Sequence, residues 1–174
     1  MADEIYGAVQ ALRHVRRQCF SGFVPFSDLP QIQVPTDPGV YLVIRPSIRR
    51  PEFTDESLAG RFKGKNPSVS HEVLEKNWVP EASVVYIGKA SGGSTGRRGL
   101  RKRLDEYRRH GAGEPVGHWG GRLIWQLADR DRLLVAWKET PGEDPETVES
   151  AMLDEFIAMH HTLPFANRKR GRRA

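Results

Sequence analysis

An α/β domain is what this sequence predicts, on three observations. Two short runs, Gly39 to Ile44 (GVYLVI) and Ser83 to Gly88 (SVVYIG), are rich in β-branched and aromatic residues and bounded by Pro and Gly, as strands are. After the glycine-rich connector 92–96, Leu100, Leu104 and Tyr107 recur at the spacing of an amphipathic helix. Further on, Asp144 reads as an N-cap with Pro145 in the first helical position, opening a helix that carries Val148, Met152, Leu153, Phe156, Ile157 and Met159.

The remaining elements follow in chain order. Residues 3–18 have Ile5, Val9 and Leu12 along one helical face, and 20–38 read as a Pro-rich connection. The long segment 45–82 is rich in Pro, Gly and charge, with one short helix expected near 70–77. Two more strands are expected at 122–127 and 133–137, separated by the polar turn 128–131. No internal repeat is visible. At 174 residues the chain is long enough for one domain with its own core. The expectation is a single domain over 1–174: a helix and connector (1–38), an insert (45–82) and a basic tail (168–174).

Composition excludes several classes. The single cysteine, Cys19, rules out an internal disulfide framework and a cysteine-based zinc site. There is no apolar run of about 18 residues, and Asp3 and Glu4 stand where a basic leader would begin, so a cytoplasmic protein without a membrane partner is expected. The 27 basic residues exceed the 22 acidic ones, and the excess is clustered. Residues 97–110 hold seven Arg or Lys against two acids, and the tail from Arg168 holds five basic residues and none acidic. Such clusters attract a phosphate backbone.

The order of motifs gives the chemistry. Strand, strand, helix brings the phenols of Tyr41 and Tyr86, the ammonium of Lys89 and the guanidinium of Arg103 towards one spot, a set suited to a phosphodiester. Arg103 lies one turn before Tyr107 on the same helix. On the last helix Glu149 falls near the middle of the apolar arc. An inward carboxylate must be neutralised, paired or bound to a metal. An ion pair with Arg103 or Arg122 and a metal site both answer that need.

These ordered motifs resemble the GIY-YIG nuclease superfamily over residues 39–167. Gly39-Val40-Tyr41 is similar to its first half-motif, with Val in place of Ile, and Tyr86-Ile87-Gly88 matches its second verbatim. Lys89, Arg103 and Tyr107 resemble the family's strand-end lysine, helix arginine and the Tyr or His one turn later. Glu149 resembles its metal-binding glutamate, and Asn167 the asparagine that closes the domain. The resemblance implies a small, mainly antiparallel sheet flanked by helices. It implies a catalytic set of Tyr41, Tyr86, Lys89, Arg103, Tyr107, Glu149 and Asn167, with one Mg²⁺ or Mn²⁺ held by Glu149. Tyr41 or Tyr86, with Tyr41 preferred, would orient or deprotonate the attacking water, and Lys89 and Arg103 would supply the positive charge that a phenol needs to act as a base.

This chain departs from the usual pattern in the length of the insert between the half-motifs, which points to the restriction-endonuclease branch. The partner implied is double-stranded DNA, with a homodimer left open. Expected DNA contacts are Arg101, Lys102, Arg108, Arg109, Arg168, Lys169 and Arg170. His118 joins them because Gly117, Gly120 and Gly121 allow close backbone approach, with packing as the alternative. The insert, with Arg49, Arg50, Arg61, Lys63, Lys65, Asn66, His71 and Trp78, is expected to choose the target. The competing classes are a repair or mobile-element nuclease, a non-catalytic nucleic-acid-binding module, and a structural domain whose basic patches bind protein.

Overall fold

The structure, a computed structural model, describes residues 19–47, 49–93 and 98–168. Four strands, β1 (Ser21–Pro25), β2 (Gly39–Ile44), β3 (Val84–Ala90) and β4 (Leu134–Glu139), form one antiparallel sheet in the order β1-β4-β2-β3. Among the described residues three α-helices accompany it: α1 (His71–Asn77), α2 (Leu100–Gly111) and α3 (Pro145–His160). All six residues of β2 are buried, because the strand has neighbours on both sides and helices over both faces. That is why its sequence is a continuous apolar run rather than an alternation.

The alternation of side chains sorts β2 and β3 between two layers. Tyr41, Val43 and Tyr86 join Leu100, Leu104 and Tyr107 of α2 in one cluster. Val40, Leu42, Ile44 and Ile87 join Leu153 and Phe156 of α3 in the other. Val43 pairs with Tyr86 and Ile44 with Val84, which leaves Val85 as the extra residue of a bulge in β3.

Helix α3 starts as its sequence dictates. The Asp144 carboxylate accepts from the Glu146 N–H at 3.2 Å, Pro145 occupies the first turn, and His161 in the left-handed region (φ 58°) ends it. Its buried stripe is narrower than its composition suggests: Leu153 and Phe156 are buried, whereas Met159 is 68% exposed. Helix α2 begins with its first N–H groups capped by the connector, Leu100 N–H bonding Asp37 O at 3.0 Å and Arg101 N–H bonding Pro35 O at 2.8 Å. Ser70 caps α1, inside the segment expected to be helical.

Three expectations need correction. Residues 122–127 are not a strand: Arg122–Gln126 is a 3-10 turn, followed by an isolated bridge between Leu127 and Phe53. A short run that is buried all round looks the same in either state, and Gly121, in the left-handed region (φ 74°), turns the chain into the core just before it. Residues 20–38 are more than a connection, since they contain β1 and the 3-10 turn Phe26–Gln31. A Cβ at Gly22, also left-handed (φ 92°), would overlap the Trp137 ring, so this irregular edge strand depends on a glycine that reads as a loop residue. Finally, segment 45–82 is built into the body. Ala59, Leu74 and Val79 are buried, the Gln126 side-chain carbonyl accepts from Val69 N–H at 2.8 Å, and its amide donates to Thr54 O and Val69 O. The helix expected over 3–18 lies outside the described residues.

Candidate active site

Because β3 is the outermost strand of the sheet, groups from both sheet faces can meet around it. Tyr86 points to the α2 layer, and Lys89, which pairs with Val40, belongs to the α3 side. Around this edge lies a cavity of about 300 Å³ lined by Tyr86 and Lys89 of β3, Arg103 of α2, Glu149 of α3 and Arg98 from the connector. Four of the residues singled out from sequence therefore converge. A further charged wall group, Arg98, carried no sequence signal beyond its charge.

Lys89 and the acids form the first layer of electrostatics. Lys89 Nζ lies 2.8 Å from Glu146 Oε1 and 3.5 Å from Glu149 Oε2. Glu149 is thus neutralised by a lysine rather than by Arg103 or Arg122, and its side chain is 12% exposed. Burial pushes its carboxyl above the ordinary carboxylate range, with Lys89 pulling the other way. Glu146 gives no signal in the sequence because it falls at the edge of the apolar arc; only the fold brings it to Lys89.

Arg103 and the phenols form the second layer. Arg103 donates to Gly117 O at 3.3 Å and lies 3.4 Å from Glu106 Oε2. Burial alone would lower its pKa, but the neighbouring oxygens of Tyr41 and Tyr86 outweigh it and hold the guanidinium charged. The phenol of Tyr41 is shifted upward by burial, against the pull of Arg103, and that of Tyr86 well upward by burial and then by Tyr41. Both phenols keep their protons at neutral pH. In the free protein Lys89 faces carboxylates, and at both phenols burial outweighs the pull of Arg103.

Space around the phenols is fully used. A Cβ at Gly88 would lie 2.5 Å from the Tyr41 ring and 2.8 Å from Tyr86, so the second half-motif ends in glycine because two rings occupy the place of a side chain. Tyr41 is completely buried behind Tyr86, their ring centroids 6.0 Å apart, and it is Tyr86 that faces the cavity. Tyr107 is also buried, donating its hydroxyl proton to Gly121 O at 2.7 Å. His118 stacks on the Tyr107 ring at 3.7 Å, with Nε2 3.5 Å from the Tyr41 hydroxyl. With none of its surface exposed, His118 is corrected from a DNA contact to a packing residue beneath the site. Burial and the nearby Arg103 keep its imidazole neutral, far below the usual histidine pKa.

Asn167 also moves from the reacting set to a positioning role. Its Oδ1 accepts from Ile87 N–H at 2.9 Å and its Nδ2 donates to Ile87 O at 2.8 Å, while Ala166 N–H bonds Val85 O. The amide imitates a neighbouring strand and fixes β3 between Tyr86 and Lys89.

Much of the basic surface of α2 and the residues just before it is internally balanced. Arg108 pairs with Asp105 at 2.8 Å, Arg109 with Glu114 at 2.6 Å, and Arg98 with Glu106 at 2.9 Å. Arg101 donates to Val34 O, and for Lys102 no ion pair occurs among the described residues. Arg168 is exposed, and Lys169 and Arg170 lie outside the described residues. In the insert, Trp78 packs edge-on against Phe165 at 5.3 Å with Arg45 over its ring, and His71 lies 3.0 Å from Asp55. Trp78 is therefore engaged internally rather than free to stack on a base.

No family model, curated protein or solved structure matches this chain. Among the described residues no helix is long and apolar enough to cross a membrane. No group of three or more His, Cys, Asp or Glu gathers there for a metal either. A single inward carboxylate still fits Mg²⁺ or Mn²⁺ at a phosphate site, because such an ion takes one or two protein carboxylates and completes its shell with water and substrate oxygens. Glu149, a hard oxygen donor whose ionised form is disfavoured by burial, gains from a nearby cation.

Proposed function

We propose that this chain is a GIY-YIG-type endonuclease that hydrolyses phosphodiester bonds of double-stranded DNA with one Mg²⁺ or Mn²⁺ at Glu149, in a restriction or related defence role. The observation that carries this reading is the cavity beside β3, the outermost strand of the sheet. Tyr86, Lys89, Arg103 and Glu149, distant in sequence and drawn from three elements, line one space of about 300 Å³.

Each group has a task in adding water across a P–O bond. The attacking oxygen bonds to phosphorus, the bond to the leaving oxygen breaks, and that oxygen gains a proton. The bound metal ion would supply Lewis acidity towards the phosphate. Arg103, held charged, faces the extra negative charge of the five-coordinate phosphorus. Tyr86, rather than the Tyr41 that the motif pattern favours, is the phenol that can touch the attacking water, and Tyr41 supports it from behind. Lys89 bridges Glu146 and Glu149, holding the two acids together and donating towards the phosphate when one of them turns away. Asn167 keeps the strand that carries both groups in place.

A plasmid-nicking assay tests this reading. Wild-type protein should nick supercoiled DNA with Mg²⁺ and not with EDTA. Absence of nicking with Mg²⁺ and Mn²⁺ by folded protein over a panel of plasmid sequences would overturn it.

A further inference from the structure

Beside the cavity lies a larger groove of about 630 Å³, between residues 29–36 and the first turns of α2. We propose that this groove holds the DNA strand as it leaves the reactive cavity, with Arg101 and Lys102 on its phosphates and Gln31 and Gln33 facing its bases. The inference rests on the nuclease reading and gives it a binding surface different from the insert.

Four observations carry it. Arg98 lines both the groove and the cavity, so the two spaces share a wall and one strand can run through them. The groove wall gathers Arg101 and Lys102, with Arg98 paired to Glu106 beside them, against one lining acid, Asp105, which is itself paired with Arg108. Elsewhere on α2 the cations face acids, whereas the exposed side chains of Arg101 and Lys102 keep their charge available to a phosphate. The opposite wall offers exposed Gln31, Gln33 and Thr36, side chains that donate and accept hydrogen bonds as base-edge recognition requires.

The groove is also preformed. Leu100 N–H bonds Asp37 O, Arg101 N–H bonds Pro35 O, and the Arg101 side chain donates to Val34 O at 2.9 Å. These bonds tie the two walls together, so little ordering is needed when a strand enters. A basic wall facing an amide-bearing wall fits a nucleic-acid strand better than an acidic peptide, for which base-edge donors and acceptors have no use.

The test is fluorescence anisotropy of a labelled DNA duplex with Ca²⁺ in place of Mg²⁺, titrated at several KCl concentrations, alongside nicking assays on the same preparations. Lys102→Glu should weaken binding at least tenfold at low salt and reduce the log–log salt slope by about one for each phosphate it leaves unneutralised. Arg132→Glu, the same charge change at an exposed position before β4, should shift affinity less than twofold. Gln33→Ala should alter the ranking of duplex sequences and leave the salt slope alone. Thermal melts check that each variant is folded, and Lys102→Ala provides a milder second change.

Equal losses from Lys102→Glu and Arg132→Glu would reduce the effect to net charge and overturn the groove. So would tighter binding of an RNA duplex than of DNA, or no DNA binding at all. If wild type nicks DNA and Lys102→Glu binds with an unchanged salt slope, the groove assignment falls and the nuclease reading stands. If Lys102→Glu behaves as expected and wild type never nicks, the groove stands and the nuclease reading falls.

Discussion

The two faces of the sheet are built from different materials. The face under α3 is aliphatic and aromatic: Val40, Leu42, Ile44, Ile87, Ala136, Leu153 and Phe156. The face under α2 buries three tyrosines together with His110, His118, Arg122 and Gln126. Polar atoms near it, among them Nδ1 of His118 and Nε of Arg122, have no hydrogen-bond partner among the described residues. Burying unsatisfied polar groups costs about 1–3 kcal/mol each, so a face made only for stability would not accumulate them. The α3 face holds the fold together, and it joins the cavity through Lys89 of β3 and, near the N-terminal end of its helix, through Glu149 with Glu146 beside it.

That division makes neighbouring residues of α3 behave in opposite ways. Glu149→Gln should lower Mg²⁺-supported nicking roughly a thousandfold or more, because several kcal/mol of charge stabilisation go with the metal, while anisotropy shows DNA still bound. Full Mg²⁺-dependent activity in the variant would sink the metal assignment. On the α2 face, Arg103→Ala and Tyr86→Phe should each slow single-turnover cleavage about a hundredfold with the fold intact. A rate within a factor of about two of wild type would remove that residue from the chemistry. Tyr41→Phe separates the two phenols: a smaller loss than for Tyr86→Phe is expected, and the reverse order would return the water-facing role to Tyr41.

One turn beyond Glu149 the effect should change kind. Leu153→Ala, at a fully packed position, should cost about 2–5 kcal/mol in urea unfolding, while the cleavage rate per folded molecule stays at the wild-type value. A hundredfold loss of that rate would mean that the α3 face is not merely structural.

The smallest difference is in pH response. His118 has a folded pKa far below its unfolded value of about 6.5, so the stability of keeping it neutral is present above that value and is lost as the pH falls below it. Glu149 has the opposite sign: its folded pKa is raised, so protonation on acidification relieves the folded state. His118→Phe, which keeps a ring on Tyr107, should make the acid-side fall in stability shallower by up to about 1.4 kcal/mol per pH unit. Chemical unfolding at a series of pH values reads this directly. An unchanged slope would assign the acid sensitivity to His110 and His160, whose pKa values are also lowered by burial.

Much of this molecule was legible in one dimension wherever a local pattern has one physical meaning. The apolar runs at 39–44 and 83–88, the spacing of Leu100, Leu104 and Tyr107, and the Asp144-Pro145 start each specify an element through short-range rules. The inward turn of Glu149 came from helical period alone. What stayed hidden depended on partners far along the chain. Nothing local tells that 122–126 coils, that Gly22 makes room for Trp137, or that Phe53 and Trp78 in the insert close over Phe165.

The sequence by itself determined which side chains could do the chemistry, because half-motifs and helical spacing are local properties. Only the tertiary structure decided their surroundings. Placing β3 at the sheet edge lets Tyr86, Lys89, Arg103 and Glu149 share one cavity. Burial puts Tyr41 and His118 behind it, and a bidentate amide makes Asn167 a strand clamp. Reach, exposure and proton affinity belong to the space around a group, and that space is filled by residues the local sequence does not contain.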